Sequence, residues 1–276
     1  MPFLPNSEIE IINDKVERGA IRHALFDFDG TISLIREGWQ QVMIPMMVEI
    51  LMQTPRHESE AELTAIVAEF VDRTTGQQSI YQMIQLCEEI AKRGGEPLDP
   101  VAYKHKYLKL LRARFEHRIA GLKDGSISQE AMLVPGSLEM LRSLEERQVA
   151  CYLASGTDKV YVEDEAAALG ITSYFRGGVY GAVDDYKTYS KAMVIDRILR
   201  THGIRGAELV VFGDGYVEIE DAKRVGGIAV GLATDEIRLA SVNAWKRNRL
   251  LQAGADIIVP HFRESVRLVA YLFGEE

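Results

Sequence analysis

Apolar positions along this chain follow two different rhythms. Between about Gly38 and Gly121 they recur at i, i+3, i+4 and i+7, which predicts helix after helix. Trp39, Val42, Met43, Met46, Met47, Ile50 and Leu51 mark the first, with Pro45 expected to kink it or to mark its first turn. Ser59 and Glu62 form a capping-box pattern ahead of Leu63, Ile66, Val67, Phe70 and Val71. A third helix is predicted from Gln78 to Lys92, stopping at Gly94-Gly95. A fourth opens at Asp99-Pro100 and runs through Tyr103, Tyr107, Leu110, Leu111 and Phe115.

From Pro135 the rhythm changes to short apolar runs alternating with amphipathic helices. The spacing predicts helices at Ser137–Arg147, Asp158–Leu169 and Ser190–His202. It predicts strands at Val149–Ala154, Leu209–Phe212, Gly227–Leu232 and Ala255–Val259. The run Ala24-Leu25-Phe26 reads as a strand before the helical stretch, and Ser7–Arg18 as a short helix leading into it. Strands alternating with helices of this length imply an α/β class with a parallel sheet covered on both faces. The chain therefore begins an α/β domain (1–35), leaves it for an all-helical insert (36–124) and returns (125–276).

Composition narrows the class. With 47% hydrophobic and 26% charged residues in 276, the chain reads as globular, and no apolar run approaches a membrane span. A net charge of −9 argues against a general nucleic-acid footprint, which needs a basic patch. No secretory start is visible, so the expected compartment is the cytoplasm, with Cys87 and Cys151 as two buried free thiols. The six histidines show no metal-ligand spacing.

The chemistry gathers where the predicted strands end. Asp27-Phe28-Asp29-Gly30-Thr31 follows the first strand, and ligands bind at the carboxyl ends of strands in open α/β sheets. Two acids one residue apart suit a metal-assisted nucleophile beside an acid/base partner. Ser155-Gly156-Thr157 follows Cys151-Tyr152-Leu153-Ala154, and a hydroxyl with successive backbone N–H groups can hold anionic oxygens. Lys191 follows Ser190, a suitable N-cap, so it lies at the positive end of a helix; Lys187 is the competing lysine. Val210-Val211-Phe212-Gly213-Asp214-Gly215 places another acid at a strand end, with Glu218 four residues on.

These four stretches resemble the four motifs of the haloacid dehalogenase superfamily, most of whose D-x-D members are Mg²⁺-dependent phosphotransferases. The resemblance covers nearly all of the α/β part, and the helical insert only by position and character. It implies a Rossmannoid three-layer α/β/α core with a cap inserted after the first motif. It implies a phosphatase acting on a small soluble phosphomonoester. Asp27 would attack phosphorus and form an aspartyl-phosphate, and Asp29 would protonate the leaving alkoxide and then deprotonate water. Ser155, Gly156, Thr157 and a lysine would hold the phosphoryl oxygens. The 23-residue spacing from Lys191 to Asp214 favours Lys191 over Lys187 for that role. Asp27, the backbone carbonyl of Asp29, Asp214 and Glu218 would face Mg²⁺. Glu218 departs from the Asp that is frequent there and would bind the metal, reach it through water, or orient Lys191.

Arg36, Trp39 and Lys123 are the candidates to contact the leaving group, and Arg36 and Trp39 read equally well as surface and core residues. No lysine occurs between Thr31 and Lys92, which disfavours phosphonoacetaldehyde hydrolysis through a cap Schiff base. No histidine shortly after Asp29 matches the one in β-phosphoglucomutases, so a sugar-phosphate mutase stands second. A non-catalytic binder is the remaining alternative. A dinucleotide site is disfavoured because no G-x-G-x-x-G follows the first strand.

Overall fold

The short apolar runs become a seven-stranded sheet in the computed structural model, which describes residues 3–275. The strands are β1 (Glu10–Ile11), β2 (His23–Phe26), β3 (Ala150–Asp158), β4 (Gly178–Ala182), β5 (Leu209–Gly213), β6 (Ile228–Leu232) and β7 (Ile257–Val259). Their order is β1-β7-β6-β5-β2-β3-β4. Only β1 runs antiparallel, along β7; every other pairing is parallel. The helices, in chain order, are α1 (Gln40–Leu51), α2 (Glu60–Thr74), α3 (Ser79–Lys92), α4 (Pro100–Asp124), α5 (Ser137–Glu146), α6 (Lys159–Ala168), α7 (Lys191–His202), α8 (Tyr216–Arg224), α9 (Ala244–Gln252) and α10 (Ser265–Phe273). Among the described residues no helix is long and apolar enough to cross a membrane.

Two compact units result, one of Met1–Glu37 with Gly121–Glu276 and one of Gly38–Ala120. In the first, β2 sits centrally with β5 and β3 in register on either side. Its alternation sorts side chains to the two faces. Leu25, with Val211 from β5, packs on Val194, Ile195 and Ile198 of α7 and on Ile219 and Ala222 of α8. Phe26 and Phe212, paired in register, stack face to face with centroids 4.5 Å apart, and the Phe262 ring meets both edge-on. Continuing the alternation, Asp27 falls on the face of Leu25, toward α7 and α8.

In the second unit the Met and aromatic stripes are core. Met43, Met46, Met47 and Leu51 of α1, Phe70 of α2, Met83 of α3 and Phe115 of α4 are all buried. Ser59 and Glu62 make the reciprocal capping box at the start of α2. Arg93 is nearly buried at the end of α3 between Glu58 and Glu89, with Nε–Oε2 2.6 Å and Nη1–Oε2 2.7 Å.

Three expectations change. Ser7–Arg18 is not a helix: Glu10 and Ile11 form the edge strand β1, because both side chains are buried and the backbone finds Ile257 and Ile258 of β7 to pair with. Pro45 lies in the interior of α1, beyond its first turn. Cys151 is a buried free thiol, whereas Cys87 is only half-buried.

Candidate active site

Asp27 ends the central strand, its N–H donating to Phe212 C=O as the ladder closes. The chain then turns sharply: Ile32 and Ser33 N–H both return to Phe28 C=O, and Gly30 has φ +76°. Only glycine fits there. A Cβ on Gly30 would stand 2.3 Å from Asp214 Oδ2, and left-handed backbone disfavours other residues. Gly213 is required for a second reason, since its Cβ would meet Glu218 Cγ at 2.1 Å. The turn after β2 and the end of β5 are thus pressed together, which brings their acids into one place.

Lys191 joins them. Ser190 caps α7 by accepting the Met193 N–H at 3.1 Å, which fixes Lys191 as the first helical residue. Its Nζ lies 2.7 Å from Asp27 Oδ1 and 2.9 Å from Glu218 Oε2. Glu218 is fully buried; its other oxygen accepts the Gly215 N–H at 2.8 Å across the start of α8. Burial pushes the Asp27 carboxyl up, and Lys191 is the group that opposes it. Burial also opposes charge on Lys191, but Asp27 and then Glu218 outweigh it and hold the ammonium above the ordinary lysine value. Lys187 is exposed, with its ammonium 5.9 Å from the Tyr186 ring centre. The geometry therefore brings Lys191, not Lys187, to Asp27.

Asp29 stands one residue beyond Phe28. Its Oδ2 accepts from Thr157 Oγ1 at 2.9 Å and from Ser155 Oγ at 3.2 Å, and Thr157 N–H donates to Ser155 Oγ at 3.0 Å. Its Oδ1 is buried without a hydrogen bond, 3.7 Å from Arg36 Nε. The strand expected to end at Ala154 runs further: β3 continues through Ser155-Gly156-Thr157 to Asp158, with a register shift against β4. Tyr189 braces this bulged segment by donating to Ser155 C=O at 2.8 Å, and burial pushes its phenol up, so it stays a donor.

The specificity candidates are placed differently. Arg36 is buried and makes a two-pronged contact with Glu165 of α6, at 3.0 and 2.7 Å. Lys123 pairs with Asp164 at 2.6 Å and is half-exposed. Trp39 is half-buried at the start of α1, in the helical unit.

Two residues that the sequence reading did not single out complete the cluster. Lys246, in the first turn of α9, has Nζ 2.6 Å from Asp214 Oδ2 and 2.5 Å from Glu236 Oε1. Glu236 lies in the loop after β6, again at the carboxyl edge of the sheet. No local motif marks either residue; the turn chemistry of Thr234-Asp235 and the Asn243 cap were the available signals for the element between them.

Carboxylate oxygens of Asp27, Asp214 and Glu218 all lie within 4.8 Å of one another. Three hard oxygen donors, with no histidine or thiol among them, suit Mg²⁺ rather than a softer ion. The donor set thus fits a divalent cation, with Glu218 also tied to Lys191 and Gly215.

A parallel sheet that carries acids and a buried lysine on its carboxyl edge defines an α/β enzyme with a carboxylate-centred site. The chain belongs to the haloacid dehalogenase-like hydrolase family, whose model matches residues 21–226. No curated protein matches it. Among solved structures it is similar to β-phosphoglucomutase from Clostridium difficile, with a TM-score of 0.62, 12% identity, and 92% of this chain and 98% of the other covered. A predicted phosphatase from Clostridium acetobutylicum gives 0.59 and 17%, covering 90% and 98%. A predicted phosphoglycolate phosphatase from Haemophilus somnus gives 0.56 and 15%, covering 90% and 98%. At these identities the likeness is one of fold.

Proposed function

We propose that the protein is a Mg²⁺-dependent phosphomonoester hydrolase acting on a small phosphorylated metabolite. One observation carries this reading: Lys191 bridges Asp27 and Glu218 while Asp214 closes the same carboxylate group. Phosphate monoester hydrolysis is among the slowest reactions known, so the site must position a nucleophile and offset charge on the phosphoryl oxygens. Asp27 is the nucleophile, its Oδ1 fixed by Lys191 and its second oxygen left for phosphorus. Attack breaks the P–O bond to the leaving alkoxide and leaves the phosphoryl group on Asp27.

Asp29 gives the alkoxide its proton. Ser155 and Thr157 fix one of its oxygens, and the other makes no hydrogen bond, with Arg36 Nε 3.7 Å away. In the second half, Asp29 takes a proton from water as the acyl phosphate is hydrolysed. Lys191 and the backbone N–H of Gly156 hold the equatorial oxygens. Asp27, Asp214 and the Asp29 carbonyl would hold Mg²⁺, which supplies charge neutralisation to the phosphate, and Glu218 would support it through Lys191. The helical unit, inserted after the first motif, is the candidate for substrate selection, with Trp39 as its candidate residue.

The test is phosphate release from a panel of metabolite monoesters with Mg²⁺, with EDTA and with Asp27→Asn. Metal-dependent release from a narrow set that Asp27→Asn abolishes supports the reading. Absence of release, with phosphate instead retained on Asp27 and passed to a second sugar hydroxyl, replaces it with a mutase.

A further inference from the structure

Each of two lysines in this site bridges two carboxylates. Lys191 joins Asp27 to Glu218, and Lys246 joins Asp214 to Glu236. The first has a clear use at the phosphoryl group. The second does not: it grips the acid that is read as a metal ligand, and it comes from an element outside the four motif stretches.

Lys246 is where helix electrostatics would not put a cation. Asn243 caps α9 and accepts the Lys246 N–H at 3.1 Å, so Lys246 is the third helical residue. The first turn of a helix favours anions, and a lysine there faces the positive end of the dipole. Its side chain is only 12% exposed. Burial adds to the cost of its charge, and the two carboxylates are what offset it.

Its partners are held on both sides. Glu236 sits in a loop whose ends are tied, with Asn243 N–H donating to Ala233 C=O at 2.7 Å and Asp235 Oδ1 accepting the Ile237 and Arg238 N–H groups. Gly30 also packs on the pair: a Cβ there would be 2.3 Å from Asp214 Oδ2 and 3.1 Å from Glu236 Oε1. Asp214 Oδ2 is therefore committed to Lys246, and the remaining oxygen of Asp214 is the one free to take a metal.

We propose that Lys246 is a positioning residue that orients Asp214 and, as a tethered cation on a metal-ligand carboxylate, holds the metal affinity of the site down, with Glu236 moderating that effect. This rests on the reading of Asp214 as a metal ligand. The charge removed and the charge added then act in opposite directions. Without Lys246, Asp214 and Glu236 are two adjacent carboxylates and attract Mg²⁺ more strongly. Without the Glu236 charge, Lys246 pairs with Asp214 alone and Mg²⁺ is held less strongly. Gain or loss of one unit charge a few ångströms from a divalent cation is worth about tenfold or more in affinity even when screened as in water, at a dielectric of about 80.

The experiment is calorimetric titration of Mg²⁺ into the metal-free full-length protein, without substrate, for wild type and for Lys246→Met, Lys246→Arg, Glu236→Gln and Asp214→Asn. Folding of each variant is checked by circular dichroism and thermal melting. The expected result is about tenfold tighter binding for Lys246→Met, about tenfold weaker binding for Glu236→Gln, near-wild-type binding for Lys246→Arg, and loss of binding for Asp214→Asn. Unchanged or weaker binding by Lys246→Met, with Asp214→Asn still abolishing it, overturns the role of Lys246 alone. Wild-type binding by Asp214→Asn overturns the reading of the metal site beneath it. If Lys246→Met does not fold, Glu236→Gln decides: unchanged or tighter binding overturns the inference.

Discussion

Lys191 reaches Asp27 from a different element with Nζ–Oδ1 at 2.7 Å, and both side chains are more than nine-tenths buried. A pair this enclosed is maintained by its surroundings: Glu218 accepts a second hydrogen bond from the ammonium, and Ser190 fixes the helix start from which Lys191 extends. Buried pairs are weak contributors as wholes and costly to break in half, because the remaining partner keeps its charge without a counter-ion.

Lys191→Met therefore leaves two buried carboxylates facing one another and is expected to cost about 3–5 kcal/mol of stability. Urea unfolding followed by circular dichroism measures it. Adding Glu218→Gln to Lys191→Met removes one of the stranded charges and is expected to recover part of the loss. A double variant less stable than Lys191→Met would show that the charge imbalance is not the cause.

Asp29→Ala removes the proposed acid while Ser155 and Thr157 remain. Monoesters with sugar-alkoxide leaving groups are expected to slow by roughly 10²–10⁴, the usual value of general acid catalysis. p-Nitrophenyl phosphate, whose leaving group needs no proton, is expected to slow far less. Equal losses on both substrates would assign Asp29 another role.

Gly30→Ala tests how closely the turn after β2 holds the metal-side acid. The new methyl would stand 2.3 Å from Asp214 Oδ2, and its backbone would carry left-handed strain of about 1–2 kcal/mol. Displacement of a site carboxylate by about an ångström costs on the order of a hundredfold in rate. Phosphate release by Gly30→Ala is therefore expected to fall by about that factor, with a small drop in melting temperature. Wild-type turnover would mean that Asp214 does not need its observed position.

Much of this architecture is legible in the sequence, and the gaps have physical causes. The buried parallel strands read clearly because both faces are covered, so Ala24-Leu25-Phe26 and Val210-Val211-Phe212 are continuous apolar runs. The α2 start was written in Ser59 and Glu62, which make the expected reciprocal bonds. β4 was not legible: Gly178-Val179-Tyr180-Gly181 is only partly buried at a sheet edge and carries two glycines. β1 leaves no such trace, because two paired residues carry no periodicity and the surrounding apolar residues fit a helix equally well. At the site, Asp27, Ser155, Lys191 and Asp214 all lie in motif stretches at strand ends or a helix start. Lys246 and Glu236 meet Asp214 only through the tertiary fold, from a loop and helix with little periodicity. Arg36 was readable as a cation near the site, but its partner Glu165 is 129 residues away and no local pattern announces it.

Acid should loosen the helical unit through Arg93. Burial raises the Glu89 carboxyl, but Lys92 and Arg93 outweigh it, and hydrogen bonds from Arg93 hold Glu58 down; both lie below the ordinary value of 4.5 in the folded protein. The unfolded chain then takes up protons first as the pH falls. The stabilisation is complete above about pH 4.5 and is lost as the pH drops through the lower folded values. Glu89→Gln is expected to show a smaller fall in melting temperature between about pH 6 and about pH 3.5 than wild type. An equal fall in both would remove Glu89 from the account.

The central claim is that phosphate passes through Asp27, and trapping that species tests it most directly. The metal-loaded protein is mixed with a turned-over monoester, quenched in acid within milliseconds and analysed by intact and peptide mass spectrometry, beside Asp27→Asn. The account predicts one added phosphoryl group on the peptide containing Asp27, labile to hydroxylamine, and none on the variant. Turnover with no phosphoryl group on that peptide at any quench time, or continued turnover by Asp27→Asn, would contradict it.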